Sequence, residues 1–355
     1  MTWQRRREDR PTKTSARPAE DDTRGTIGLS AVTHDDRLAL DELDQRLRTL
    51  LPDTYKEAYA ALKPVPMRSA PLKYDSTGQV AWNDIWGSFC DLAMAGGPPH
   101  KGRLLGPGTS DGSPASDAAI DAVVTELCRG IELTTTMPCE PASAAGWVRV
   151  ECYSETMAAW LLRAIVMENV AAKADGRFLS LPASPAFRLD KEIKNVITVI
   201  AKTTHYWLEH MPRAQQRAIA HLLSNLDRET PLVAPRFEFT SPARDFGPLA
   251  AQINRLTGLV AMTEHLPEWL GLECGSVAVA IWLMRALITQ NILARREDEV
   301  LWVPINAVSD PNGARVATAL SHVHRLAILR GVTVARPTQD ATSPLAGSPS
   351  RVEHP

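Results

Sequence analysis

Residues 150–169, VECYSETMAAWLLRAIVMEN, return 122 positions later as LECGSVAVAIWLMRALITQN at 272–291. A long internal repeat constrains a fold more than composition does, because both copies must form the same unit and then bury their apolar faces together. The match runs without a gap over 147–182 and 269–304. Thirteen of its thirty-six positions are identical: Trp147/Trp269, Glu151/Glu273, Cys152/Cys274, Ser154/Ser276, Ala158/Ala280, Trp160/Trp282, Leu161/Leu283, Arg163/Arg285, Ala164/Ala286, Asn169/Asn291, Ala172/Ala294, Leu179/Leu301 and Pro182/Pro304. Chance identity would give about two or three, so internal duplication is the better account. Upstream, AVVTELCRG at 122–130 can be laid beside AAQINRLTG at 250–258, which leaves a six-residue length difference before the matched block.

Each copy reads as helix, strand, helix, strand. WVRVEC and WLGLEC are short strand-like runs, MAAWLLRAIVMENV and AVAIWLMRALITQNI are long enough only for helices, and FLSLP and VLWVP are again strand-like. Asp175-Gly176 supplies a turn before the first of these. A strand–helix–strand order predicts a right-handed parallel crossover. The expected class is therefore α/β, helix-rich and internally duplicated; the alternative is α+β with a mixed sheet and antiparallel pairing. The first unit spans 116–227, its opening helix capped by Ser116 and Asp117, and helices at 189–210 and 213–226 follow its strands. The second spans 228–335, with a helix at 313–329. Before them lies an extension over 35–115, made of helices at 35–61 and 83–95 and a Gly/Pro-rich loop. Polar tails at 1–34 and 336–355 have little to bury and are expected to be disordered.

Composition narrows the function classes. The chain has 355 residues, 44% hydrophobic and 23% charged, with a formal net charge of -2. That balance speaks against a general nucleic-acid or membrane-surface binder, which would be basic. Five cysteines without a CxxC point to a reducing compartment, and so to a soluble cytoplasmic protein. The charged N-terminus lacks the apolar run of a secretory signal, and the apolar stretch near 277–294 is broken by Arg285. No motif names a cofactor.

The repeated arginines are the first candidate site residues. Arg163 and Arg285 sit in helices apolar nearly all round, and a buried guanidinium needs a partner. The nearest repeated acids suggest structural ion pairs, Glu151 with Arg163 and Glu273 with Arg285. The competing reading makes the two arginines bidentate clamps for an anion at the interface of the halves. Cys152 and Cys274 read as small buried hydrophobes, Asn169 and Asn291 as helix terminators, and Trp147, Trp160, Trp269 and Trp282 as core anchors.

Two unrepeated stretches add candidates. In SFCDLAMAGGPPHKGR, 88–103, a helix stop is followed by His100, Lys101 and Arg103, a loop able to hold phosphate or carboxylate although it fits neither GxxxxGK[ST] nor GxGxxG. In the helix at 189–210, His205, Glu209 and His210 form HxxxEH, one residue off the HxxEH zinc pattern, and no metal site is expected. Lys191, Lys194, Thr198, Lys202, His205 and Glu209 form a polar stripe that should face solvent. His322 and His324, two apart, point in different directions on a helix.

The functional expectation is a small anionic ligand held between the duplicated halves by Arg163, Arg285, His100, Lys101 and Arg103, as in a metabolic or biosynthetic enzyme of unassigned reaction. The alternative is a non-catalytic scaffold or oligomeric accessory protein whose apolar helices pack against a second copy.

Overall fold

The computed structural model describes residues 33–56, 71–84, 102–237, 245–262 and 267–334. The two expected tails lie outside the described residues, except that Thr33 and His34 already belong to the first helix. The end of the expected 35–61 helix and nearly all of the 83–95 helix also lie outside them.

Helix α1 (His34–Leu50) begins with a capping box: Thr33 Oγ1 accepts from Asp36 N–H, and the Asp36 carboxylate accepts from Thr33 N–H, both at 3.1 Å. The first unit then runs α2 (Pro114–Thr135), β1 (Cys139–Pro141), β2 (Trp147–Glu151), α3 (Glu155–Met167), β3 (Lys173–Asp175) and β4 (Phe178–Pro182), followed by α4 (Lys194–Glu209) and α5 (Arg213–Glu229). The second runs α6 (Gly247–Thr257), β5 (Val260–Ala261), β6 (Trp269–Glu273), α7 (Val277–Ile288), β7 (Arg295–Glu297) and β8 (Val300–Pro304), then α8 (Ala314–Leu329). Helix α2 starts earlier than expected. Ser113, not Ser116 or Asp117, is its cap, with Pro114 in the first turn where a missing N–H costs nothing.

The fold is a helix-rich mixture of α and β with two four-stranded sheets, ordered β1-β2-β4-β3 and β5-β6-β8-β7. Every strand pairing within these two sheets is antiparallel, which corrects the expected parallel crossover. The reason is a strand the sequence hid. After α3 the chain lays down β3, whose residues Lys-Ala-Asp are too few and too polar to show a period. It then turns at Gly176 (φ 54°) and inserts β4 between β3 and β2. Strands β2 and β3 do run the same way, but β4 separates them, giving a split β-α-β unit. Sheet register is the same in both halves: Trp147 faces Pro182 and Glu151 faces Phe178, while Trp269 faces Pro304 and Glu273 faces Val300.

The correspondence extends upstream, with a different alignment from the expected one. Thr135 Oγ1 donates to Ile131 O at 2.7 Å and accepts from Met137 N–H at 3.2 Å; Thr257 Oγ1 does the same with Ile253 O at 2.8 Å and Leu259 N–H at 3.1 Å. Cys139 and Ala261 then face Val150 and Leu272. The helix ends therefore align at the same 122-residue spacing as the strands, and no six-residue difference lies between them. The difference sits at the helix starts, since α2 has 22 residues and α6 has 11. Farther upstream, Leu105 and Val233 occupy the same place. Leu105 N–H donates to Asn169 O and its carbonyl accepts from Ala171 N–H; Val233 does likewise with Asn291 O and Leu293 N–H. The segment around Arg103, expected to be unrepeated, thus has a counterpart around Pro231.

Helices α3 and α7 fill the centre. Ser154 and Ser276 cap them in closely similar extended conformations, accepting from Met157 N–H at 3.1 Å and Val279 N–H at 3.3 Å. Beyond the caps, Trp160, Leu161, Ile165, Leu283 and Leu287 are wholly buried, each such side chain contributing about 1.5–3 kcal/mol. Their all-round apolarity reflects enclosure by protein, and among the described residues no helix is long and apolar enough to cross a membrane. All four expected tryptophan anchors are buried. Helix α2 closes on α4 at Gly130, where a Cβ would fall 2.2 Å from Ile197 Cδ1. Helix α1 straps the two units together. Leu50 O accepts from Trp160 Nε1 at 2.9 Å in the first unit, while Arg46 Nη1 donates to Thr289 O at 3.1 Å in the second.

Candidate functional site

Three of the repeated polar residues, Arg163, Asn169 and Asn291, bond across the place where the two units join, in an arrangement the sequence did not suggest. Asn169 and Asn291 each follow a central helix in left-handed backbone, φ 59° in both, so each ends its helix as expected. The same turn directs the side chain into the other unit. Arg163 Nη2 donates to Asn291 Oδ1 at 2.6 Å, and Asn291 Nδ2 donates to Asp227 Oδ1 at 2.7 Å and Thr230 O at 2.8 Å. Reciprocally, Asn169 Oδ1 accepts from Arg295 Nη1 at 3.1 Å, and its Nδ2 donates to Gly102 O at 2.6 Å and Arg296 O at 2.8 Å. Arg295 is fully buried, donates to Glu297 Oε1 at 2.5 Å, and lies over the rings of Trp269 and Trp302 at 4.8 and 5.0 Å. Phe237 stands between Trp147 and Trp269, with centroids at 5.8 and 6.4 Å, and joins the aromatic anchors of the two units.

These contacts replace the expected ion pairs. Glu151 pairs with Arg177 at 3.1 Å near the surface, and Arg163 reaches Asn291 instead. The expected Glu273–Arg285 pair does not form either, because Glu273 is exposed at the end of β6 and Arg285 is 2% exposed inside the core. The reason is directional: the end of β2 turns Glu151 outward to Arg177, and Glu273 is exposed at the end of β6, whereas Arg163 reaches from α3 across the junction to Asn291. Burial lowers the Arg163 guanidinium to about 10, partly offset by Asp227, so it stays charged near neutral pH. Nη1 donates to Ala159 O on its own helix at 2.8 Å, and Nη2 donates across the junction to Asn291.

A second buried pair corrects the expected wet stripe on α4. Lys202 is 1% exposed and its Nζ lies 2.6 Å from Glu168 Oε1, whose side chain is wholly buried; Lys194 is buried as well. Helix α4 packs against both α2 and α3, so two of its faces are covered, and the polar stripe alone could not show the second. His205 and His210 lie Nε2 to Nε2 at 3.2 Å. Among the described residues no three His, Cys, Asp or Glu side chains form a metal-holding group. Of the loop candidates, His100 and Lys101 lie outside the described residues, and Arg103 is exposed.

The described feature best suited to an anion is a surface cleft of about 450 Å³ where α3 and α5 begin, lined by Ser154, Thr156, Trp207, Arg213, Gln216, Arg217 and Ala220. Gln216 Nε2 donates to Trp207 O at 3.1 Å and Met211 O at 2.9 Å, which fixes the α4–α5 turn and the start of α5. Arg213 and Arg217 are one turn apart on that start, both exposed. Helix α5 has no acid in its first turn, so two like charges stand at the positive end of a helix, an arrangement unfavourable by roughly 0.3–1 kcal/mol. Ser154 Oγ accepts the α3 capping bond and keeps its own proton to donate. Nothing in the sequence singled out Arg213 or Arg217, because their partner surface on α3 is about 60 residues away in the chain.

Comparison with protein-family models, with curated proteins and with solved structures finds no match for this chain.

Proposed function

We propose that the protein binds a small molecule carrying a phosphate or carboxylate group, in the cleft between the starts of α3 and α5. The observation that carries this reading is the pair Arg213 and Arg217, held at the positive end of α5 and facing the hydroxyls of Ser154 and Thr156 across about 450 Å³. Guanidiniums suit oxyanions because their parallel N–H groups match two oxygens, and helix N-terminal amides add donors with the same preference. This moves the anion from between the units, where Arg163 donates to Ala159 and Asn291, to the face of the first unit.

The test is thermal unfolding in inorganic phosphate or citrate against sodium chloride of equal ionic strength. At a hundredfold excess over Kd, binding adds about 2.7 kcal/mol, a rise of about 5 °C in Tm. The Arg213→Ala/Arg217→Ala variant should lose that rise while unfolding in chloride at the native temperature or slightly above it, since two unfavourable charges leave the start of α5. An equal rise in the variant, or none in the native chain, would remove the cleft from consideration.

A second reading, a non-catalytic scaffold or oligomeric accessory protein of the cytoplasm, draws on a different observation. The repeated Arg163, Asn169 and Asn291 all bond to the protein itself. Native mass spectrometry tests it: a stable assembly of several copies with no bound small molecule favours the scaffold.

A further inference from the structure

We infer that Cys128 and Cys139 form a redox-active dithiol that closes to a disulfide between α2 and β1. The two sulfurs lie 2.9 Å apart, and both residues are half-buried, within reach of a small reagent. Bond formation needs a closure of about 0.9 Å, to the usual length near 2.05 Å. The backbone around them is already fixed: Glu132, one turn beyond Cys128, accepts from Cys139 N–H through Oε1 at 3.1 Å, and Cys139 pairs with Val150 in the sheet.

The second unit supplies the control. The aligned helix ends and strand registers place Ala250 opposite Cys128 and Ala261 opposite Cys139. Both alanines are partly buried against the same kind of core as the two cysteines. Packing at this position therefore requires only two small side chains, and the thiols add chemistry that the fold does not need. Cys152 and Cys274, by contrast, occur in both units and are buried.

The two sulfurs differ in role. Cys139 donates its S–H to Cys128, which lowers the Cys128 thiol below its usual range. That hydrogen bond, together with burial, holds the Cys139 thiol above it. Cys128 is then the attacking sulfur. Glu132 and Glu140 lie close enough to raise both thiols, so an anionic oxidant is repelled and a neutral or cationic small disulfide is favoured. Cys128 sulfur, having lost its proton, attacks one sulfur of the reagent; the reagent's S–S bond breaks, and one half leaves and takes up a proton. Cys139 sulfur then loses its proton and attacks Cys128 in the mixed disulfide, releasing the second half as a thiol. The dithiol is oxidised by two electrons and the reagent disulfide is reduced to two thiols.

The experiment treats the full-length protein with cystamine, a dicationic disulfide, then alkylates remaining thiols and maps the peptides by mass spectrometry without reduction. The expected result is a cross-linked pair of peptides carrying Cys128 and Cys139, lighter than the two free thiols by about 2 Da. Cystamine should act several-fold faster than the anionic oxidised glutathione at low salt. Cys139→Ala should stop at a mixed disulfide on Cys128, and both positions accept alanine in the second unit. Recovery of Cys128 and Cys139 from the native chain as separately alkylated thiols would overturn the inference.

Discussion

Replacing Asn291 by alanine should be among the most damaging single changes in the chain, although the residue lies in a turn. The substitution removes three hydrogen bonds, at 2.6, 2.7 and 2.8 Å, and takes the acceptor from Nη2 of the buried Arg163 guanidinium, which keeps only its bond to Ala159 O. The charged bond contributes about 1.5–3 kcal/mol and the other two about 1 kcal/mol each. Alanine at φ 59° adds about 1 kcal/mol that asparagine tolerates better. The total is about 4.5–6 kcal/mol. Asn291→Gly loses the same bonds without the backbone cost and should recover about 1 kcal/mol. Asn169→Ala should cost less, about 3 kcal/mol, because Arg295 keeps Glu297 and its two tryptophan faces. Equilibrium urea unfolding followed by tryptophan fluorescence gives these differences, and a double-mutant cycle with Arg163→Met isolates the cross-unit bond. A cost below about 1 kcal/mol for Asn291→Ala, or a larger cost for Asn169→Ala, would show that the junction is held by apolar packing and not by this network.

Three further outcomes are expected. Lys202→Met should cost about 3–5 kcal/mol by leaving Glu168 charged and buried, and adding Glu168→Leu should restore much of it, read in the same urea titration. Burial, with His210 adding to it and Glu209 opposing, lowers the His205 imidazole below its ordinary 6.5. The unfolded chain then takes up that proton first, so this contribution to stability is complete above about pH 6.5 and is lost as pH falls below it. Tm measured from pH 7 to pH 5 should fall less steeply in His205→Asn. Cys152, whose thiol burial pushes up to about 12, should resist iodoacetamide at neutral pH in the native protein and react once unfolded.

Within 147–182 and 269–304 much of the architecture was legible because similar local signals occur twice in the sequence. The helices carrying Arg163 and Arg285, the strands that precede them, the tryptophan anchors and the terminating asparagines all follow from residue type and period, which act within a few positions along the chain. Strands β3 and β7 did not follow, since three mostly polar residues have no period to read, and with them went the antiparallel pairing of both sheets. Partner choice was equally hidden. From sequence, Glu151 was the nearest acid to Arg163, but the end of β2 turns Glu151 toward Arg177 while the helix carries Arg163 to Asn291, 128 residues away. The polar stripe of α4 likewise became a buried ion pair only because α2 and α3 cover two of its faces. The sequence alone determined most of the helical segments and which of the apolar residues must be inside, since these depend on local conformational preference and apolarity. The tertiary structure decided which buried charge meets which acceptor and where two arginines, Arg213 and Arg217, face a second helix start, since those depend on direction and distance in space.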